Sequence, residues 1–264
     1  MPIFIHYTYA DQEHYGRLEG GERIQRIAGS PFEGFQTTGE FLPLADARVL
    51  SPCRPTKVIA VGLNYRDHAR EFNLDVPHEP LIFMKPASAI IGPREPIVTP
   101  SMSQRVDFEA ELGVVMGRTC RRVKRDQARD YILGYTCVND VTAPELLFAN
   151  EEFHQWCRSK SLPGFGPIGP VIATGIDPAS LRVRGVLDGE VKQDYPVSDM
   201  IFSPQQIVWH IAREIVLYPG DVIACGTSVG AADMAEGQTI VVEIPGIGSL
   251  TNRLTGNDSP GKSL

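Results

Sequence analysis

The residues best able to do chemistry lie in one stretch, Arg105-Val106-Asp107-Phe108-Glu109-Ala110-Glu111-Leu112-Gly113-Val114-Val115-Met116-Gly117. Read as a strand, it turns Val106, Phe108, Ala110, Leu112, Val114 and Met116 to one face and Asp107, Glu109 and Glu111 to the other. The first face is wholly apolar and belongs in a core. The second sets two or three carboxylates about 6.6–7 Å apart, from a rise of roughly 3.3–3.4 Å per residue. Stacked carboxylates repel, and holding them inside a protein is costly unless a cation or donors offset the charge. Hard divalent ions, Mg²⁺, Mn²⁺ or Ca²⁺, take such oxygens. The plainer alternative is an antiparallel strand with one solvated face.

A second run, Tyr131-Ile132-Leu133-Gly134-Tyr135-Thr136-Cys137-Val138-Asn139-Asp140, is apolar and ends in an acid. Asp140 either faces a site on the sheet or caps the helix that follows, since Asp is a strong N-cap. Taken together, the two segments suggest a three-carboxylate, oxygen-only site. His68 and Glu71 are three apart, so on a helical turn they share a face. A carboxylate on one imidazole nitrogen leaves the other as a base near neutral pH. A polar surface turn would read the same way. The segment Asn73 to Pro80 is polar and contains proline, as a mobile lid would. Lys85 and Lys160 each adjoin apolar or glycine-rich segments, where a lysine binds a substrate carboxylate or stabilises an enolate. Most lysines are simply solvated.

These residues need a β-rich scaffold. The run Lys57–Gly62 fits a buried strand, and further strands are expected over 81–84, 105–116, 131–139, 170–173, 181–187, 222–225 and 239–244. The chain's 21 Pro and 25 Gly interrupt them, and no strand–helix–strand rhythm emerges. The clearest helix begins at Ser203-Pro204, carries Ile207, Ile211 and Ile215 on one face, and stops at Pro219-Gly220. A shorter helix is expected from Ala143 to Trp156. Residues 1–52 read as a small β segment with a turn at Gly20-Gly21 and a linker at Ser51–Pro55. Residues 53–264 read as the main domain. The tail from Gly256 is expected to fray.

The formal charge is −7 and the pI about 5.4, which argues against a nucleic-acid surface. Five widely spaced cysteines without a C-x-x-C pair suggest buried free thiols in a reducing compartment. There is no signal-peptide pattern and no apolar stretch near the ~18 residues needed to span a membrane. The expected location is the cytoplasm.

Six segments, VGLNYRDHARE, PLIFMKP, DFEAELGVVMG, GYTCVNDVTA, KS…GFGPIGP and LYPGDVIACGTSVG, resemble the fumarylacetoacetate hydrolase superfamily in this order. They cover about residues 57 to 252. The resemblance implies a β-rich α+β fold, a mixed β-sandwich roll, in a homodimeric protein. It implies Mg²⁺, Mn²⁺ or possibly Ca²⁺ on Glu109, Glu111 and Asp140. It also implies a catalytic lysine at Lys160, a lid pair at His68 and Glu71, and the Gly-Thr of a C-terminal motif at Gly226 and Thr227. Asn64, Tyr65 and Lys85 join Gly226 and Thr227 as expected substrate contacts. Departures occur at Pro144-Glu145, where Arg-Asp is common, at Ser228, where Pro is common, and at Leu162–Phe165, where D-T-F often follows the lysine segment.

The implied activity is hydrolysis of a C–C bond in a β-diketo acid, an acylpyruvate or fumarylpyruvate-like compound of aromatic catabolism. In that scheme His68, oriented by Glu71, activates water, and Lys160 offsets negative charge. The same chemistry also serves an oxaloacetate-type decarboxylase or a 2-hydroxyhepta-2,4-diene-1,7-dioate-type isomerase or hydratase. A catalytically silent small-ligand binder is the rival from another class.

Overall fold

The computed structural model describes residues 2–256, so most of the expected fraying tail lies outside the described residues. Four antiparallel strands open the chain: β1 (Ile3–Tyr9), β2 (Gln12–Glu19), β3 (Arg23–Ser30) and β4 (Gly34–Pro43). The turn between β2 and β3 falls at the two glycines, Gly20 and Gly21, both at positive φ. Then come β5 (Lys57–Gly62), α1 (Arg66–Glu71), β6 (Leu81–Pro86), β7 (Ala110–Met116) and β8 (Ile132–Asn139). Two short helices, α2 (Pro144–Leu147) and α3 (Trp156–Lys160), precede β9 (Gly166–Ala173). The last elements are β10 (Arg182–Leu187), β11 (Glu190–Pro196), α4 (Pro204–Ala212), β12 (Val222–Ala224), β13 (Thr239–Ile244) and β14 (Gly248–Thr255).

The main sheet runs β4-β3-β2-β1-β9-β8-β7-β12-β5-β6, with the N-terminal strands joined to the rest through β1 and β9. A second sheet runs β11-β10-β13-β14 and ends on Pro96–Val98. This is the β-rich, mixed sandwich that the sequence implies. Alternation decides what each face buries. Ala110, Leu112, Val114 and Met116 of β7 join Val183, Tyr195, Val242 and Leu250 of the second sheet in one core. Val115 and Val138, on the opposite face, pack with Val58, Ala60, Ile168 and Ile172 in another.

Three expected elements differ from the observed ones. The carboxylate strand is not continuous: Asp107–Phe108 pairs with Ala232–Asp233, and Glu109 stands between it and β7. Asn139 Oδ1 accepts the Glu109 N–H there, replacing a ladder bond. The helix from Ser203 starts as expected, with a reciprocal capping box between Ser203 and Gln206, but stops at Ala212. Leu217 is pulled out of it by paired backbone hydrogen bonds with Cys120. The helix expected over Ala143–Trp156 splits into α2 and α3. Between them Asn150 Oδ1 accepts the N–H groups of Glu152 and Phe153, a local turn that competes with helix. Of the cysteines, Cys53, Cys120, Cys137 and Cys225 are buried free thiols, while Cys157 is exposed. No helix among the described residues is long and apolar enough to cross a membrane.

Candidate active site

Strand direction brings the site together. β5 and β12 run parallel, with Val58 opposite Val222 and Ala60 opposite Ala224. Their C-terminal ends therefore deliver Gly62–Asn64 and Cys225–Thr227 to one end of the sheet. β7 runs antiparallel to β12, with Gly113 opposite Ala224, so Glu111 arrives at that same end. β7 also pairs with β8, Ala110 opposite Asn139, which sets Asp140 beside Glu109. The Asp140 N–H donates to the Glu109 carbonyl at 2.9 Å. Asp140 does not cap α2, whose N-cap is Ala143.

One carboxylate oxygen from each of Glu109, Glu111 and Asp140 lies within 4.8 Å of the other two. Asp107 is apart from them, held by Arg105 at 2.8 and 2.9 Å. Two lysines enter the cluster. Lys160, delivered by α3, donates from Nζ to Glu109 Oε1 (2.9 Å), Asp140 Oδ2 (2.8 Å) and Thr142 Oγ1 (2.6 Å). Lys85, on β6, donates to Asp140 Oδ1 and to the Val141 carbonyl. Both lysines are buried, as are Glu111 and Asp140, whereas the Glu109 side chain keeps 21% of its exposure. The cluster therefore opens to solvent past Glu109.

The charges do not balance. Burial would raise the Asp140 carboxyl, but Lys160 and Lys85 outweigh it and hold the group below its ordinary value. Burial pushes Lys85 down, and Asp140 only partly offsets it. Burial opposes charge on Lys160 as well, yet Asp140 and Glu109 more than compensate and raise its pKa. Glu111 is pushed well above the usual carboxylate range by burial, then by Asp140 and Glu109. Among the described residues it accepts from the Gly226 N–H at 2.8 Å. Three acids against two lysines leave a buried carboxylate short of a cation. An all-oxygen donor set of this kind suits Mg²⁺, Mn²⁺ or Ca²⁺, so the residues fit the ion that the sequence implies.

The family model for the fumarylacetoacetate (FAA) hydrolase C-terminal domain matches residues 57–255, and one for the Rv2993c-like N-terminal segment matches residues 4–52. This chain belongs to the fumarylacetoacetate hydrolase family. A crystal structure of 2-hydroxyhepta-2,4-diene-1,7-dioate isomerase from Mycobacterium marinum superposes with a TM-score of 0.90 at 37% identity, covering 98% of this chain and 100% of that one. The mitochondrial oxaloacetate tautomerase FAHD2A of Bos taurus is 36% identical over 81% of this chain and 71% of its own length. Fumarylpyruvate hydrolase from Pseudomonas aeruginosa, solved with Mn²⁺ and pyruvate, has a TM-score of 0.73 at 28% identity, covering 80% of this chain and 92% of that one. The family is one of enzymes, and its acidic triad in this chain could bind a metal.

Within this family member, most of the expected substrate contacts turn inward. The Asn64 amide donates to the carbonyls of Phe202 (3.1 Å) and Cys225 (2.7 Å) and accepts from the Phe202 N–H (2.9 Å). Both ends of it are committed within the protein. Thr227 Oγ1 donates to the Ala110 carbonyl (3.0 Å) and accepts from Gln193 Nε2 (2.8 Å). Tyr65 is fully buried edge-on to Tyr195, at 4.7 Å between ring centroids, and its hydroxyl has no partner. His68 and Glu71 lie on α1, with Nδ1 and Oε2 3.7 Å apart, beyond hydrogen-bond length. Sequence reading overlooked Thr142, whose hydroxyl donates to Glu109 Oε1 at 2.9 Å and receives Lys160. Its spacing of two from Asp140 was the available signal. Of the departures, Glu145 faces a loop instead of the acids, accepting from Ser103 Oγ and the Gln104 N–H.

Gly226 holds φ +95°, and a Cβ there would lie 2.9 Å from both Asn64 Cβ and the Val61 carbonyl oxygen. Gly226→Ala is therefore expected to lose about 1–3 kcal/mol of stability through backbone strain. It should also weaken Mn²⁺ binding, because the N–H that aims Glu111 moves. Thermal melts and Mn²⁺ titration check both. An unchanged melting temperature would show that the loop yields freely.

Proposed function

We propose that this protein is a divalent-metal-dependent enzyme that interconverts the keto and enol forms of a small 2-oxo acid. The observation that carries this reading is His68. Its Nδ1 is buried without a hydrogen-bond partner. Burial lowers its pKa below the ordinary 6.5; Glu71 works against the shift and Lys160 with it. The imidazole is thus a neutral base at pH 7. Proton transfer needs that base alone. Water activation in a hydrolase also needs the imidazole oriented, and at 3.7 Å Glu71 does not hold it.

A divalent ion on the three carboxylates would polarise the substrate's carboxylate and 2-oxo group, supplying the charge that stabilises an enolate. Glu109, Glu111 and Asp140 would hold the ion, and Lys85 and Thr142 fix two of those carboxylates. Lys160 places positive charge at the open side of the cluster. In the keto-to-enol direction His68 takes the proton from the carbon next to the 2-oxo carbon while the oxygen gains one from solvent. In the enol-to-keto direction the protonated imidazole gives that carbon a proton while the oxygen loses its own to solvent. Hydrolysis of an acylpyruvate C–C bond is the second reading, favoured by the likeness to fumarylpyruvate hydrolase.

The test uses metal-stripped protein, with Mg²⁺ or Mn²⁺ then restored, against enol-oxaloacetate, fumarylpyruvate and other acylpyruvates. Metal-dependent loss of enol absorbance without pyruvate release is expected. Pyruvate release from the diketo acids would install the hydrolase instead, and inactivity on all of them would overturn both readings. His68→Gln is expected to slow the reaction roughly 10²–10⁴-fold. The wild-type rate should stay level at neutral pH and fall below pH 6.5, as the depressed imidazole takes up its proton. The variant should lose that acid limb.

The reading carries a cytoplasmic homodimer. β6 ends the main sheet, and Leu81, Ile82 and Met84 on it are exposed, an edge that a second copy would cover. A two-chain mass in sedimentation is expected.

A further inference from the structure

Away from the triad, two cavities gather ionisable side chains. The larger, about 360 Å³ among the N-terminal strands, is lined by Arg26 and Arg54, but Glu40 and Glu13 already pair with them. The smaller, about 280 Å³, lies between α4 and residues 78–80. Its arginines are different. Arg125 stands 5.6 Å and Arg213 5.3 Å from the centre of the Trp209 ring. Neither guanidinium has a carboxylate within salt-bridge reach among the described residues. His78, His210 and Gln206 add donors, and Glu79 is the one acid in the lining. Two unpaired arginines held over one tryptophan, in a chain of formal charge −7, make a local positive patch.

We propose that this cavity binds a small anion carrying a carboxylate or phosphate group. The volume sits just below the usual range for ligand pockets, which suits a ligand of a few heavy atoms. Guanidinium forks match both groups in geometry, and both arginines, though solvent-exposed, lie beside the Trp209 ring. The site is also tied to the catalytic end. Phe202 lines the cavity, and its backbone N–H and carbonyl are the partners of the Asn64 amide. Asn64 in turn donates to Cys225, the residue before Gly226. On the other wall, residues 78–80 continue the segment that leaves α1.

The chain has two tryptophans, Trp156 and Trp209, so Trp156→Phe leaves Trp209 as the reporter. Its fluorescence is followed while inorganic phosphate or succinate is added at constant ionic strength. A saturable change is expected, weakened about tenfold or more in the further variant Arg125→Gln/Arg213→Gln, as loss of charge-assisted hydrogen bonds requires. Saturation by phosphate alone or by succinate alone assigns the ligand's acid group. Absence of saturation with both probes would overturn the proposal. So would saturation that survives loss of both arginines, since the anion would then lie elsewhere. Circular dichroism of the double variant confirms that the fold is kept.

Discussion

Glu111→Gln is expected to abolish metal-dependent turnover, by on the order of a thousandfold, while making the metal-free protein more stable. The first effect follows from removing one of three anionic ligands, because the ion contributes several kcal/mol of charge stabilisation to an enolate-like transition state. The second follows from the imbalance in the cluster. Burial, then Asp140 and Glu109, hold the Glu111 carboxyl well above its ordinary 4.5. A carboxyl with a raised native pKa binds a proton that the unfolded chain has released. Its contribution to stability is complete below pH 4.5 and is lost as the pH climbs through the native value. Metal-free wild type should therefore melt at lower temperature as the pH rises above 4.5. Asp140, whose pKa is lowered, acts in the opposite sense and loses its contribution as the pH falls. Glutamine at 111 cannot ionise, so the decline should flatten, with roughly 2–4 °C gained for each kcal/mol recovered. Adding Mn²⁺ should raise the melting temperature of wild type but scarcely that of the variant. An equal Mn²⁺ shift in both would remove Glu111 from the ligand set.

Lys160→Met should behave in the reverse way. Lys160 bridges Glu109 and Asp140 from a buried position, and its removal leaves Glu109 without a cationic partner and Asp140 with Lys85 alone. Breaking a buried pair by deleting one partner costs about 3–5 kcal/mol, which corresponds to a drop of roughly 6–20 °C in a domain of this size. A divalent ion offsets the same carboxylates, so the stabilisation on adding Mn²⁺ should exceed that of wild type. Turnover should stay low even with metal bound, because no positive charge then faces the substrate at the mouth past Glu109. Differential scanning calorimetry with and without Mn²⁺, alongside the enol assay, separates the two effects. A variant that melts like wild type without metal would show that Lys160 is not the resident counter-charge.

The strand period made part of this site legible. It set Glu109 and Glu111 on one face, and the apolar residues that alternate with them, on the other face, are indeed core. What the period could not show was the break at Glu109, where the Asn139 side chain replaces a backbone partner and Asp107 leaves the group for Arg105. The pairing of Leu217 with Cys120, which ends α4 early, is a contact between residues far apart in sequence, and local helix signals carry no trace of it. The lysines were the hardest to read. A lysine in sequence is nearly always a solvated charge, and only the crossing of β6 and α3 at Asp140 buries Lys85 and Lys160 together. The reversal of Asn64 from ligand contact to brace has the same origin, since its partners Phe202 and Cys225 are supplied by distant segments.

The joining of β1 to β9 has a consequence for how the molecule can be taken apart. Two family models divide the sequence near residue 52, yet Ile5 and Tyr7 lie in the same core as β7, and Phe4 lies in the core on the other face. The leading strands therefore serve as a selvedge that finishes the weave. A chain begun after residue 52 would bare the β9 edge together with two apolar surfaces, and self-assembly into insoluble ribbons is the natural fate of such an edge. Heating the intact chain should melt both sequence modules in a single cooperative step.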